Sequence, residues 1–278
     1  MTLKSSVKTK SSVKPKYSQK IRQSPRRTGS VFKYKYKMKN VIIKDVCSAK
    51  GSSYDTEISK YDLIKKIGEG TYGKVYIADT KNKNNEIVIK VQKLASPSNI
   101  ESFLLEANLT KKLYYEYKIG PRFHNAWYCK EPNRGPATGY ILAKKMDGDL
   151  KSLQTDDESS FKDNVYLHKK AYDDFKSKLK VLHKNGYVHA DLMPKNVLVN
   201  TVTKNNKTII KEMVMTDFGL SDKKEYLKDD ITWLMKLYGY TKKNYPDTMT
   251  TDFETILQDP SLLDREFMIF IDKELPLV

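Results

Sequence analysis

A chain of 278 residues, 39% of them hydrophobic, can bury a sizeable core as one large two-lobed domain or two small ones, which excludes a short peptide module. Its two cysteines, Cys47 and Cys129, and its four histidines are too few for a disulfide framework or a set of zinc ligands, so metal chemistry would have to use oxygen ligands. No apolar run reaches the roughly 18 to 20 residues that span a bilayer, and the N-terminus has no signal-peptide apolar stretch; a soluble, intracellular protein with no membrane partner is expected.

The formal charge of +17 is unevenly spread. Residues 1–44 hold fourteen Lys/Arg and no Asp/Glu, leaving 37 basic and 34 acidic residues, a net of +3, for residues 45–278. With few aliphatic residues the 1–44 segment cannot offset its chain entropy by burial, and it is expected to be a disordered basic tail followed by a linker over 45–60. Such a tail suits nucleic acid or an acidic protein, or serves only as a solubilising extension.

From Tyr61 apolar residues alternate. Tyr61 to Ile67, Lys74 to Ala78 and Glu86 to Val91 read as three strands, the last two joined by a turn at Lys81 to Asn85. Between the first two lies Gly68-Glu69-Gly70-Thr71-Tyr72-Gly73-Lys74-Val75, a G-x-G-x-x-G-x-V string whose glycines let backbone amides approach phosphates. A strand rather than a helix follows it, which disfavours a dinucleotide fold. Lys90 ends Ile87-Val88-Ile89-Lys90, where a lysine either snorkels outward or meets a buried anion. After Pro97, Ser98 to Glu101 reads as a capping box opening a helix with Ile100, Phe103, Leu104 and Ala107 on one face. Glu101 and Glu106 are its candidate partners for Lys90; the cap occupies Glu101, leaving Glu106. Two further strands are expected near Arg122 to Cys129 and Tyr140 to Met146, then a long helix bearing Tyr172, Phe175, Leu179 and Leu182 and ending at Gly186.

Next comes His189-Ala190-Asp191-Leu192-Met193-Pro194-Lys195-Asn196, with a carboxylate and an amide five residues apart in one loop, and then Met215-Thr216-Asp217-Phe218-Gly219. With the glycine loop, Lys90 and the helix glutamate, these strings resemble the protein-kinase superfamily over about residues 61 to 238. The resemblance implies an α+β, bilobal protein-kinase-like fold, with a small β-rich N-lobe over about 61–146 and a shortened, mainly α-helical C-lobe over 147–278. It further implies an ATP-dependent Ser/Thr-type protein kinase with ATP and Mg2+ as cofactors and a protein substrate. Asp191 then resembles the catalytic base, Asn196 and Asp217 the magnesium ligands, and Lys90 with Glu106 the phosphate-binding pair. Ile141 to Leu150 looks like the hinge, with adenine bonded around Lys144 to Met146 and sandwiched by Ile67, Val75, Val88 and Leu198, beneath Gly68, Gly70 and Gly73.

The chain also departs from that pattern. Ala190 replaces the arginine that grips a phosphorylated activation loop. Met193 replaces the lysine two residues after the catalytic Asp, so Lys195, where tyrosine kinases carry an arginine, is the expected second catalytic cation. Only thirteen residues separate Asp217 from Asp230, the expected acid of the central C-lobe helix, with no A-P-E motif between them. A small-molecule kinase and a nucleotide-binding pseudokinase scaffold are the alternatives that follow.

Overall fold

The computed structural model describes residues 43–47, 57–70, 73–80, 87–130, 135–223, 255 and 259–278. The basic segment 1–42, the turn at Lys81 to Asn85 and the Asp229-Asp230 pair lie outside them. Period-two apolar patterning produces the first sheet. Strands β1 (Tyr61–Gly70), β2 (Gly73–Thr80) and β3 (Ile87–Leu94) are followed by helix α1 (Pro97–Tyr117) and strands β4 (Phe123–Cys129) and β5 (Ala137–Lys144). The antiparallel order is β1-β2-β3-β5-β4. One face of β3 carries Lys90, Gln92 and Leu94 toward α1, where Leu94 packs with Phe103 and Ala107; Ile89 packs on the other side with Trp127 and Leu142.

The start of α1 differs from the expected capping box. Ser96 is the N-cap, its hydroxyl accepting from the Asn99 amide at 3.2 Å, and Pro97 is the first helical residue. A proline there loses nothing by lacking an N–H, so the helix begins two residues earlier and Glu101 plays no capping part.

The second half is built on β6 (Gly148–Asp149), β7 (Val165–Leu167), α2 (Lys169–Lys184), β8 (Tyr187–Val188), β9 (Val197–Lys204), β10 (Lys207–Met215), β11 (Asp222–Lys223) and α3 (Ser261–Glu274). These strands form a four-stranded β6-β9-β10-β7 sheet and a β8-β11 pair. Ala171, Phe175, Leu179 and Leu182 of α2 are buried against a core that includes Phe267 and Ile271 of α3. Gly186, at φ +80°, turns the chain out of α2. Two lobes of α+β character result, as expected.

The cysteines form a disulfide, Cys47–Cys129, across 82 residues. It ties the segment from Ile43 to Cys47 to β4, where the Val46 amide donates to the Tyr128 carbonyl (3.0 Å) and the Tyr128 amide to that of Lys44 (3.2 Å). Two cysteines so far apart carry no pairing signal in sequence, which is why none was expected. Part of the expected linker is thus seated on the sheet, and so, against expectation, are Ile43 and Lys44 at the end of the 1–44 tail, with Ile43 buried beside Phe103 and Ala107. Among the described residues no helix is long and apolar enough to cross a membrane.

Candidate active site

The glycine loop is the β1–β2 hairpin, with Gly70 paired to Gly73. Gly73 is required sterically, because a Cβ there would lie 2.4 Å from the Val91 carbonyl oxygen, whereas Gly70 has open space around it. Val75 pairs with Lys90 and Val88 with Ala143, so these residues share the face of the sheet that carries Lys90. Ile67 is half exposed on β1, Leu198 partly buried on β9, and Lys144 ends β5 with Met146 two residues beyond it.

Lys90 is the centre of the arrangement. Its Nζ donates to Glu106 Oε1 at 2.7 Å and to Asp217 Oδ1 at 2.8 Å. Burial opposes its charge, but the attraction of the two carboxylates and their hydrogen bonds outweigh that, so the ammonium's pKa stands above its ordinary value. Burial likewise opposes ionisation of Asp217, and Lys90, with help from Lys195, holds its carboxyl below the usual range. Both groups therefore stay charged across neutral pH. Glu106 is the acid on Lys90, as expected, although the cap that would have occupied Glu101 is elsewhere. Sequence reasoning did not single out Gln92, whose amide donates to Glu106 Oε2 at 2.7 Å.

Asp191 is buried in the loop after β8, and Asn196 spans that loop, its Nδ2 donating to the Asp191 carbonyl (2.8 Å) and carboxylate Oδ2 (2.9 Å). The Asn196 carbonyl accepts from the Thr216 amide at 2.9 Å, which sets this loop against the one bearing Asp217. His189 joins them too: Nε2 donates to the Thr216 carbonyl (2.9 Å), and Nδ1 accepts from the Asp191 amide (3.3 Å). This pairing requires the neutral Nε2–H tautomer. Asp217 adopts a left-handed conformation, φ 60° and ψ 63°, which turns its carboxylate to Lys90 while Phe218 is buried near Gly120 and His189. Lys195 is exposed, close enough to act on Asp217.

A second acid, unforeseen from sequence, supports the loop. Asp264 of α3 is fully buried and accepts from the amides of His189 (2.8 Å) and Ala190 (3.2 Å) and from His183 Nε2 (2.9 Å). Asp230, the acid expected to open the central C-lobe helix, lies outside the described residues.

The donors available to a metal are the Asn196 side-chain oxygen and the Asp217 carboxylate. Among the described residues no cluster of three or more His, Cys, Asp or Glu could hold an ion by itself. One carboxylate and one amide fit magnesium, which takes few protein oxygens when phosphates supply the others.

A family profile described as "Protein kinase domain" matches residues 61–242. Among curated proteins the chain is 29% identical over 174 residues to the serine/threonine-protein kinase greatwall of Xenopus tropicalis, covering 59% of this chain and 17% of that protein. It is 25% identical over 230 residues to a probable serine/threonine-protein kinase of Dictyostelium discoideum, covering 81% and 44%. The chain thus spans less than half the length of either relative. Among solved structures, a twitchin kinase fragment of C. elegans is similar at 21% identity and a TM-score of 0.44, over 61% of this chain and 35% of that one.

Proposed function

The chain belongs to the protein kinase family, and from that premise we propose that it transfers the γ-phosphate of ATP to a serine or threonine hydroxyl of a protein. The observation that carries the reading is Lys90 held between Glu106 and Asp217 at 2.7 and 2.8 Å. A charged ammonium fixed on the α1 face of the sheet is what nucleotide phosphates require, and phosphoryl transfer asks mainly for positioning and charge neutralisation.

In this reading the nucleotide lies beneath Gly68, Gly70 and Gly73, with adenine between Ile67, Val75, Val88 and Leu198 and its polar edge at Lys144 to Met146. Asn196 and Asp217 would hold magnesium, which when bound neutralises charge on the phosphate oxygens. The acceptor hydroxyl oxygen bonds to the γ-phosphorus, the bond to the β-phosphate oxygen breaks, and the hydroxyl proton passes to Asp191, which Asn196 keeps oriented. The serine/threonine preference is supported by the names of the relatives. Because Ala190 cannot grip a phosphate, control through a phosphorylated activation loop is not part of this proposal.

The test is transfer from labelled ATP with magnesium to a cell lysate, followed by separation of labelled protein from labelled small molecules. Label in protein phosphoserine or phosphothreonine is expected. Label only in small molecules would replace the protein acceptor by a metabolite, and no label with intact nucleotide binding would leave a scaffold. Asp191→Asn should lower transfer by on the order of a hundredfold or more while nucleotide binding persists; near wild-type turnover would remove Asp191 as the base.

A further inference from the structure

Lys90 and Gln92 are two residues apart on β3, so both side chains leave the same face of the sheet and both meet Glu106 of α1. Lys90 takes Oε1 and Gln92 takes Oε2, each at 2.7 Å, and Gln92 and Glu106 are 5% and 6% exposed. A carboxylate accepts and does not donate, so the nitrogen of the Gln92 amide faces Glu106. We propose that Gln92 is a positioning residue for phosphoryl transfer, an uncharged clamp that fixes the rotation of α1 and aims the Glu106 carboxylate at Lys90. The inference rests on the phosphotransferase reading of Lys90 and adds to it the residue that determines where Glu106 stands.

The chemistry of position 92 narrows the choice. An apolar side chain would leave Glu106 Oε2 buried without this donor, which costs more than the net contribution of the hydrogen bond itself. A second cation would compete with Lys90 for the carboxylate. An amide donates a charge-assisted hydrogen bond and adds no charge, so Lys90 keeps the whole attraction of Glu106 and passes its other hydrogen bond to Asp217. A relay therefore runs from Gln92 in the sheet, through Glu106 and Lys90, to Asp217. Gln92 also lies under the glycine hairpin, where a Cβ at Gly73 would come within 3.0 Å of Gln92 Cγ.

Two variants of the full chain test this. Gln92→Met keeps the length and removes the donor; kcat/KM for ATP should fall about tenfold, and amide hydrogen exchange over α1 should speed up around Glu106. Gln92→Glu keeps the shape and puts a second carboxylate against Glu106. At acid pH one proton shared by the two restores the hydrogen bond, and at alkaline pH they repel. The groups facing that pair are Lys90, and through it Asp217, with His189 and Lys195 beyond. Activity and α1 protection in Gln92→Glu should therefore decline with rising pH on a limb that the wild-type chain lacks. Gln92→Met and Gln92→Glu both matching wild type in activity and exchange at every pH would overturn the proposal. So would equal losses of melting temperature and activity in the two variants with no pH-dependent limb, the mark of a packing residue. If the wild-type chain itself transfers no phosphate, the phosphotransferase reading fails instead, and the exchange comparison alone decides whether Gln92 clamps Glu106.

Discussion

Met193 carries no charge, and the neighbouring cation is Lys195, exposed yet near enough to act on Asp217. If Lys195 neutralises the moving phosphoryl group, Lys195→Met should lower turnover by roughly ten- to a thousandfold, about 1.4 to 4 kcal/mol, with little change in nucleotide affinity. Met193→Lys in that background should recover part of the rate. Wild-type turnover in Lys195→Met would leave Lys90 and the metal to do the neutralising. Ala190 is a different case, because its φ of +64° lies in the left-handed region, where a Cβ is strained by about 1 to 2 kcal/mol. Ala190→Gly relieves that strain and gives back part of it as unfolded-chain entropy. The denaturation midpoint should rise, by up to about 1 kcal/mol of stability; a lowered midpoint would mean that the loop carries no strain there. No sequence pattern announces this conformation, since alanine is ordinarily a helix former and only the fixed ends of the loop force it.

Helix α3 meets the loop that bears Asp191 through Asp264. Asp264 satisfies two loop amides and His183 at once, with all three partners on elements that precede α3 by about 75 residues or more. Asp264→Asn leaves one oxygen for three donors and turns an NH2 group toward an N–H. The expected cost is about 1 to 3 kcal/mol of stability, with transfer falling further than the folded fraction because the loop bearing Asp191 shifts. Unchanged transfer in a folded Asp264→Asn chain would show the loop to be rigid without it. Strand and helix identities were legible from periodicity at this scale: β3 matches its expected span within a few residues, and α2 ends close to the expected Gly186. The cap of α1 was misread because Ser96 and Ser98 both suit the role, and only backbone conformation separates them: Ser96 is extended at φ −142° and its hydroxyl meets the Asn99 amide.

Across the whole molecule, the disulfide Cys47–Cys129 closes a long loop and seats the segment from Ile43 on the first sheet. Opening such a link typically costs about 2 to 5 kcal/mol, much of it through the unfolded chain. Reduction, or Cys129→Ser, should therefore lower the melting temperature by roughly 5 to 15 °C; equal melting of the reduced and oxidised chains would show that the link stores no stability. The order of the glycine loop, Lys90, the Asp191 loop and Asp217 follows from the amino-acid sequence alone, whereas Glu106 was preferred to Glu101 on a cap that the structure places elsewhere. Each is a short string whose residue types state their chemistry, and local periodicity assigns each to a strand, helix or loop. What only the tertiary structure decided are the pairings made through space: Gln92 on Glu106, Asp264 on the amides of His189 and Ala190, Cys47 on Cys129. Such contacts are formed when packing of the sheet and helices brings distant segments together. No local propensity encodes the distance between two residues that are neighbours only after the core has closed around them.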